Sequence, residues 1–189
     1  MWPWAHFALG YIFYSGWSHA RWRRAPTDGA TLVAMFGSQF PDLVDKPLAW
    51  TFHVLPTGRS LAHSALTATA LVGLCLLVAA LWYPHHLRYV VAFAIGYASH
   101  LLGDAFVPWY LGDTYYLGFL LWPVVPAIEY LEPEPGFLAH LLNLELDAIV
   151  GAELLLTGFV VLVWLLDGLP GLALLWRARR GRPREESSQ

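Results

Sequence analysis

Three stretches of this chain are apolar for long enough to cross a hydrocarbon core as helices: Ser64 to Tyr83, Arg88 to Val107 and Ala148 to Leu166. A crossing needs about 20 predominantly apolar residues. The first two are joined by Pro84-His85-His86-Leu87, too short for anything but an antiparallel pair of neighbours. Two shorter apolar stretches come first. Trp4 to Ala20 crosses if the membrane is slightly thin, and Gly29 to Phe40 is short for a full crossing. Pro41 is expected to end the second, because proline disfavours helix in the residue before it. From Trp109 to Ala139 the chain is rich in Pro, Gly and aromatics, and Tyr115 to Val125 reads as an interfacial or re-entrant piece. No internal repeat is visible.

These lengths predict an all-α, polytopic membrane bundle of about five apolar helices in a single domain over residues 1–176. A basic and polar tail, 177–189, is expected to be cytoplasmic and disordered. Composition agrees: 57% of residues are hydrophobic and 13% charged, against roughly 25% charged in an average soluble domain. Ten Trp and nine Tyr suit a membrane–water boundary. No cleavable signal peptide is read at the N-terminus, where the apolar stretch begins almost at once. The net charge of −3 says little, since the two signs are segregated along the chain. The one dense basic run, Arg177 to Arg184, follows an apolar segment and reads as a topology anchor, so no nucleic-acid partner is expected. The single cysteine, Cys75, lies in an apolar run and reads as a small buried hydrophobe.

Basic residues collect on the cytoplasmic side of short loops. With the C-terminal arginines inside, tracing back through five crossings puts Arg88 and then Arg21, Arg23 and Arg24 inside, and the N-terminus outside. Of the eleven basic residues only Lys46 and Arg59 then lie outside. The expected location is the plasma or inner membrane, with the lipid bilayer as the main partner.

That topology uses no catalytic group, so the placement of the remaining ionisable residues is informative. His6, Asp42, His63, His100 and Asp104 all fall at the outer ends of their helices. His100-Leu101-Leu102-Gly103-Asp104 has i, i+4 spacing, which projects imidazole and carboxylate from one helical face. With Asp42 and His63 brought from neighbouring elements, the set suits zinc or a similar divalent ion. Metal charge would also compensate carboxylates close to the hydrocarbon. Ser60 is expected to N-cap the third helix, with His63 in its first turn.

Read singly, each residue has a plainer role. His100 and Asp104 could tie helices together by a hydrogen bond, and His6 or His63 could be wetted by headgroup water. His85 and His86 read as a solvated loop, and His19 and His53 as interfacial. Glu153, inside the last helix, reads as a group that supports a metal ligand from behind, a proton relay or a packing hydrogen bond, and His140 is ambiguous.

The segments Trp4-Ala5-His6, Gly37-Ser38-Gln39-Phe40-Pro41-Asp42, Leu61-Ala62-His63-Ser64, Ser99-His100-Leu101-Leu102-Gly103-Asp104 and Leu121-Trp122-Pro123 resemble, in order, the motif series of the YdjM-type family. Its members are inner-membrane-bound predicted metal-dependent hydrolases, and its bacterial prototype is associated with LexA regulation, which concerns expression. Through that family the chain is distantly similar to zinc-dependent phospholipase C and P1-type nucleases. The resemblance implies that Asp42, His63, His100 and Asp104 hold one ion, with Asp104 bridging towards a second near His6. The soluble relatives also use a processed N-terminal amine and a later His-x-x-x-Glu motif. Here His140 is followed at i+4 by Leu144, with Glu145 one residue further on, so one or two ions are expected.

The expected function is therefore metal-assisted hydrolysis, of a phosphoester or lipid-linked substrate at the outer membrane face, with Asp42 doubling as general base. Two other classes use the same cluster: a haem protein with His63 and His100 as axial ligands, and an ion or substrate path.

Overall fold

The computed structural model describes residues 1–128, 146–172, 174 and 176, and among these the chain is helical with no strand. The tail 177–189, His140 and Glu145 lie outside the described residues. Among the described residues the long helices are α1 (Pro3–Trp22), α2 (Asp28–Lys46), α3 (Ala65–Trp82), α4 (Leu87–Leu111) and α5 (Ala148–Leu166). Three are long and apolar enough to cross a membrane: α3, α4 with the turn that precedes it, and α5.

Local chemistry sets most of the helix ends. Pro3 opens α1 at a position where its missing N–H costs nothing. Asp28 in the first turn and Lys46 in the last turn of α2 oppose the helix dipole. Ser64 caps α3 by accepting from the amides of Leu66 and Thr67, and Asp147 caps α5 by accepting from Val150. Gly112, at φ 77°, closes α4 in the left-handed conformation that glycine adopts without penalty.

Two expectations are corrected. Helix α2 does not stop at Pro41 but runs through it to Lys46 and continues as a π-helical turn, Pro47–Thr51. Proline removes one amide and disfavours the helix locally, but here packing prevails, since α2 against α4 is the most extensive helix pairing in the bundle. The extra turns carry Asp42 and Asp45 inward. Likewise Ser60 is not the cap of α3, which begins at Ala65 behind Ser64. The Ser60 amide and hydroxyl are already committed to Asp45 and to the Thr57 carbonyl, so His63 sits just ahead of the helix rather than in its first turn.

Where α2 crosses α4 the core is built of small side chains, while Tyr97, Leu101, Phe119 and Ile128 form a second cluster of large ones. Ala30, Ala34 and Ala92 are buried at the α2–α4 crossing. A Cβ on Gly96 would lie 2.0 Å from the Ala34 carbonyl oxygen, and one on Gly37 would lie 2.5 Å from that of Phe93. Only glycine lets the two backbones come so close, as in membrane bundles where small residues replace a hydrophobic drive for association. On α3 and α5 many large apolar side chains face outward: Leu74, Leu77 and Leu81, and Leu155, Phe159 and Leu162, are all exposed. Such a distribution is what a lipid solvent selects. Helix α1 packs on α2, α4 and α5, while α3 packs on α4. The segment Thr114–Leu121, within the piece read as interfacial, is a 3-10 helix lying against α4 and α3.

Candidate metal site

One end of the bundle gathers all five residues singled out in the sequence. His6 comes from the start of α1, Asp42 from the end of α2, His63 from the loop before α3, and His100 and Asp104 from α4. Three of them, His6, His63 and His100, have no solvent exposure at all.

The imidazoles of His63 and His100 are each fixed through Nδ1. In His63 it pairs with Asp45 Oδ2 at 2.8 Å, and in His100 with the Ser38 carbonyl at 2.7 Å. Both partners are acceptors, so each Nδ1 carries a proton and donates it, and in the neutral ring Nε2 is left with its lone pair. Those two Nε2 atoms face one another at 3.1 Å. Two lone pairs at that separation repel unless a cation, a proton or a metal ion, lies between them. Nδ1 tied to a carboxylate or backbone carbonyl is also how metal-binding histidines are generally oriented.

Carboxylates complete the cluster. Asp42 Oδ1 lies 3.4 Å from His63 Nε2 and 3.8 Å from His100 Nε2, and Asp104 Oδ2 lies 3.6 and 3.9 Å from the same two atoms. Ligands bonded at about 2.0–2.1 Å around a tetrahedral ion are roughly 3.3–3.4 Å apart, so these separations are close to those of a ligand shell. His6 stacks on His100, with ring centroids 3.7 Å apart, and its Nε2 is 3.3 Å from Asp104 Oδ1.

The donor count does not close. Both ring nitrogens of His6 and Oδ1 of Asp42 are buried without a hydrogen-bond partner, whereas the great majority of buried polar atoms are satisfied. Of these, His6 Nε2 and Asp42 Oδ1 lie within the cluster, 3.3 Å from Asp104 Oδ1 and 3.4 Å from His63 Nε2. Two overlapping groups, His6 with His100 and Asp104, and Asp42 with His63 and His100, are close enough to hold a metal ion. His100 belongs to both but offers only Nε2, since Nδ1 is spent on Ser38, so it can serve one ion at a time.

Several functional neighbours were not anticipated. Asp45 is fully buried and accepts from the amides of Ser60, Ala62 and His63 as well as from the His63 ring. It therefore shapes the loop and orients the His63 ring together. Its i, i+3 spacing from Asp42 was a readable clue. Arg59 donates to Asp104 Oδ2 and Lys46 to Asp42 Oδ2, each at 2.7 Å, so both basic residues assigned to the outer face meet site carboxylates. The Met1 amine contacts Asp104 Oδ1 at 2.9 Å. Burial pushes the pKa of His63 down, but the Asp42 and Asp45 carboxylates more than offset this and raise it above the usual histidine value.

The rest of the motif series is scaffolding. Ser64 donates to the Trp122 carbonyl at 2.6 Å, which ties the Leu121-Trp122-Pro123 segment to the start of α3. Tyr97 donates to the Ala62 carbonyl next to His63. Glu153 accepts from the Trp2 amide at 3.1 Å, anchoring α5 to the start of α1. His85 and His86 are exposed, as expected of a solvated turn, and so is His53.

Compared with known proteins, the chain matches the family described as YdjM inner membrane protein over residues 1–176. No curated protein matches it, and no solved structure does.

Proposed function

The chain belongs to the YdjM inner membrane protein family and is a multi-pass inner membrane protein, and from that premise we propose that it is a metal-dependent hydrolase. Its substrate is a phosphoester or lipid-linked molecule at the outer membrane face. The observation that carries the reading is the facing pair of Nε2 lone pairs of His63 and His100, 3.1 Å apart and ringed by carboxylate oxygens. Asp42, His63, His100 and Asp104 hold one ion, with zinc the natural occupant of such a nitrogen and oxygen set. His6 and the second oxygen of Asp104 mark the position of another. When bound, a divalent ion supplies Lewis acidity and makes water nucleophilic near neutral pH.

The remaining work falls to the chain. Asp42 is the general base, taking the proton of the attacking water on its carboxylate. It lines a cavity of about 270 Å³ with Pro3, Gln39, Lys46 and Trp50, through which water reaches it. Lys46 holds the outer oxygen of Asp42 and leaves the inner one directed at the imidazoles. Asp45 keeps the His63 tautomer fixed throughout. A similarity of mechanism to zinc-dependent phospholipase C and P1-type nucleases belongs to this proposal, with fold analogy alone behind it. The outer-face assignment follows from α1 and α2 crossing along with the three longer helices, the N-terminus out and the C-terminus in.

A haem between His63 and His100 is disfavoured by their ring contact, centroids 4.9 Å apart, which leaves no space for a porphyrin. The test is a screen of phosphomonoesters and phosphodiesters with detergent-purified protein, with and without added zinc. Zinc-dependent turnover that is lost in Asp42→Asn supports the proposal. Turnover that survives both chelation and that substitution refutes it.

A further inference from the structure

Beside the metal site lies a groove that the chemistry above does not use. Its floor is α1, at Leu9 and Phe13, and its walls are α4, at Phe106 and Tyr110, and α5, at Ile149 and Ala152. Its volume is about 640 Å³, within the range of roughly 300–1,000 Å³ typical of small-molecule sites. Phe106, Tyr110 and Ile149 are 56%, 73% and 44% exposed, so the groove opens sideways, between helices that pass through the lipid.

The inner end of this groove is polar and touches the site. Met1, Gly103 and Glu153 line it there. Gly103 directly precedes Asp104, and a Cβ placed on it would meet Met1 Sδ at 2.6 Å and Leu9 Cδ1 at 2.8 Å, with His6 Nδ1, one of the buried nitrogens without a partner, next at 3.6 Å. A chain lying in the groove therefore brings its head up to Met1, Gly103 and Glu153, one residue from Asp104. The charge there selects the head. Four carboxylates, Asp42, Asp45, Asp104 and Glu153, face three cations, Lys46, Arg59 and the Met1 amine, so a single divalent ion turns the balance positive and an anionic group completes it.

We propose that this groove binds one hydrocarbon chain of an anionic membrane phospholipid, which enters laterally from the bilayer and presents its phosphate to the metal site. The proposal rests on the hydrolase reading for the fate of that lipid. The α3–α4 face is also apolar, lined by Ala68, Val72, Leu76 and Leu101, but no carboxylate, imidazole or amine is among its lining residues, which makes it an internal comparison.

The full-length protein is reconstituted into phosphatidylcholine vesicles containing phosphatidic acid with a diazirine in one acyl chain, then photolysed and mapped by peptide. Label is expected to concentrate on residues 102–111 and 148–156. Phosphatidylcholine bearing the same photoreactive chain should label these segments less. Ala152→Trp should lower groove labelling roughly tenfold, since excluding two methylenes from an apolar site already costs about that factor, while Leu77→Trp on α3 leaves it unchanged. Label spread evenly over 65–82 and the groove helices in wild-type protein overturns the proposal, whatever the variants do. Metal content measured on the same samples separates the two readings: uniform label with stoichiometric metal removes the lipid groove alone, and concentrated label without metal removes the hydrolase.

Discussion

The two ends of the bundle each bury a carboxylate among hydrogen-bonding side chains, and they resolve it in opposite ways. At the end away from the site, Asp167 accepts from Tyr11 Oη at 2.6 Å, from Ser15 Oγ at 2.5 Å and pairs with His19 Nε2 at 2.8 Å. The three partners stand at successive i, i+4 positions along one stripe of α1, and every acceptor meets a donor. Nearby, Asp28 accepts from the Gly171 amide. At the site end, by contrast, the polar atoms do not pair off: two lone pairs face each other, Asp42 Oδ1 lacks a donor, and both nitrogens of His6 go unmatched. A satisfied polar cluster locks helices together, whereas a cluster with facing lone pairs is a place prepared for a cation.

That contrast can be broken in order of expected effect. His63→Ala or His100→Ala should reduce bound zinc to background, measured by elemental analysis of detergent-purified protein, because each removes an Nε2 from the facing pair. Retention of full metal content in both would dissolve the difference between the two ends. Asp45→Asn should weaken zinc affinity by roughly 10–100-fold, the usual cost of losing a partner behind a ligand, as read by competition with a chromophoric chelator. An unchanged affinity would leave Asp45 with a role in loop structure only.

Gly96→Ala tests the crossing that holds Asp42 opposite His100. The added methyl meets the Ala34 carbonyl, and overpacking of this kind costs about 1–3 kcal/mol, which should appear as a lowered melting temperature in detergent. Asp167→Asn should cost roughly 1–3 kcal/mol through its unmatched donors while leaving metal content intact. Its pH signature follows from its charge. Burial pushes the Asp167 pKa up, but hydrogen bonds from Ser15, Tyr11 and His19 outweigh this and hold it below the usual carboxylate value. A lowered folded pKa gives stability that is complete at neutral pH and lost as pH falls through that value. Wild-type melting temperature should therefore decline on strong acidification more steeply than that of Asp167→Asn.

Much of this organisation was legible in the chain. Helices α3 and α5 begin and end within a residue of where apolar length placed them, because in a membrane hydrophobic span and helix length are set by one constraint. The five motif residues were found because imidazoles and carboxylates are conspicuous in such a background. What escaped was governed by tertiary contacts. Pro41 reads as a terminator, but α2 is held through it by its packing on α4. Asp45 stands three residues beyond Asp42, past the expected helix end, so its turn back to His63 was hidden. The Asp167 cluster joins α1 to α5 across about 150 residues of sequence, and residues read one at a time, such as His19, give no sign of it.

The claim on which the rest depends is that His63 and His100 share a cation through Nε2. X-ray absorption at the metal edge of the protein as purified tests it most directly. The account predicts one stoichiometric divalent metal with at least two imidazole nitrogens and carboxylate oxygen at about 2.0–2.2 Å. A folded protein from metal-replete cells that holds no stoichiometric metal, or whose spectrum is unchanged by His63→Ala and His100→Ala, would contradict it.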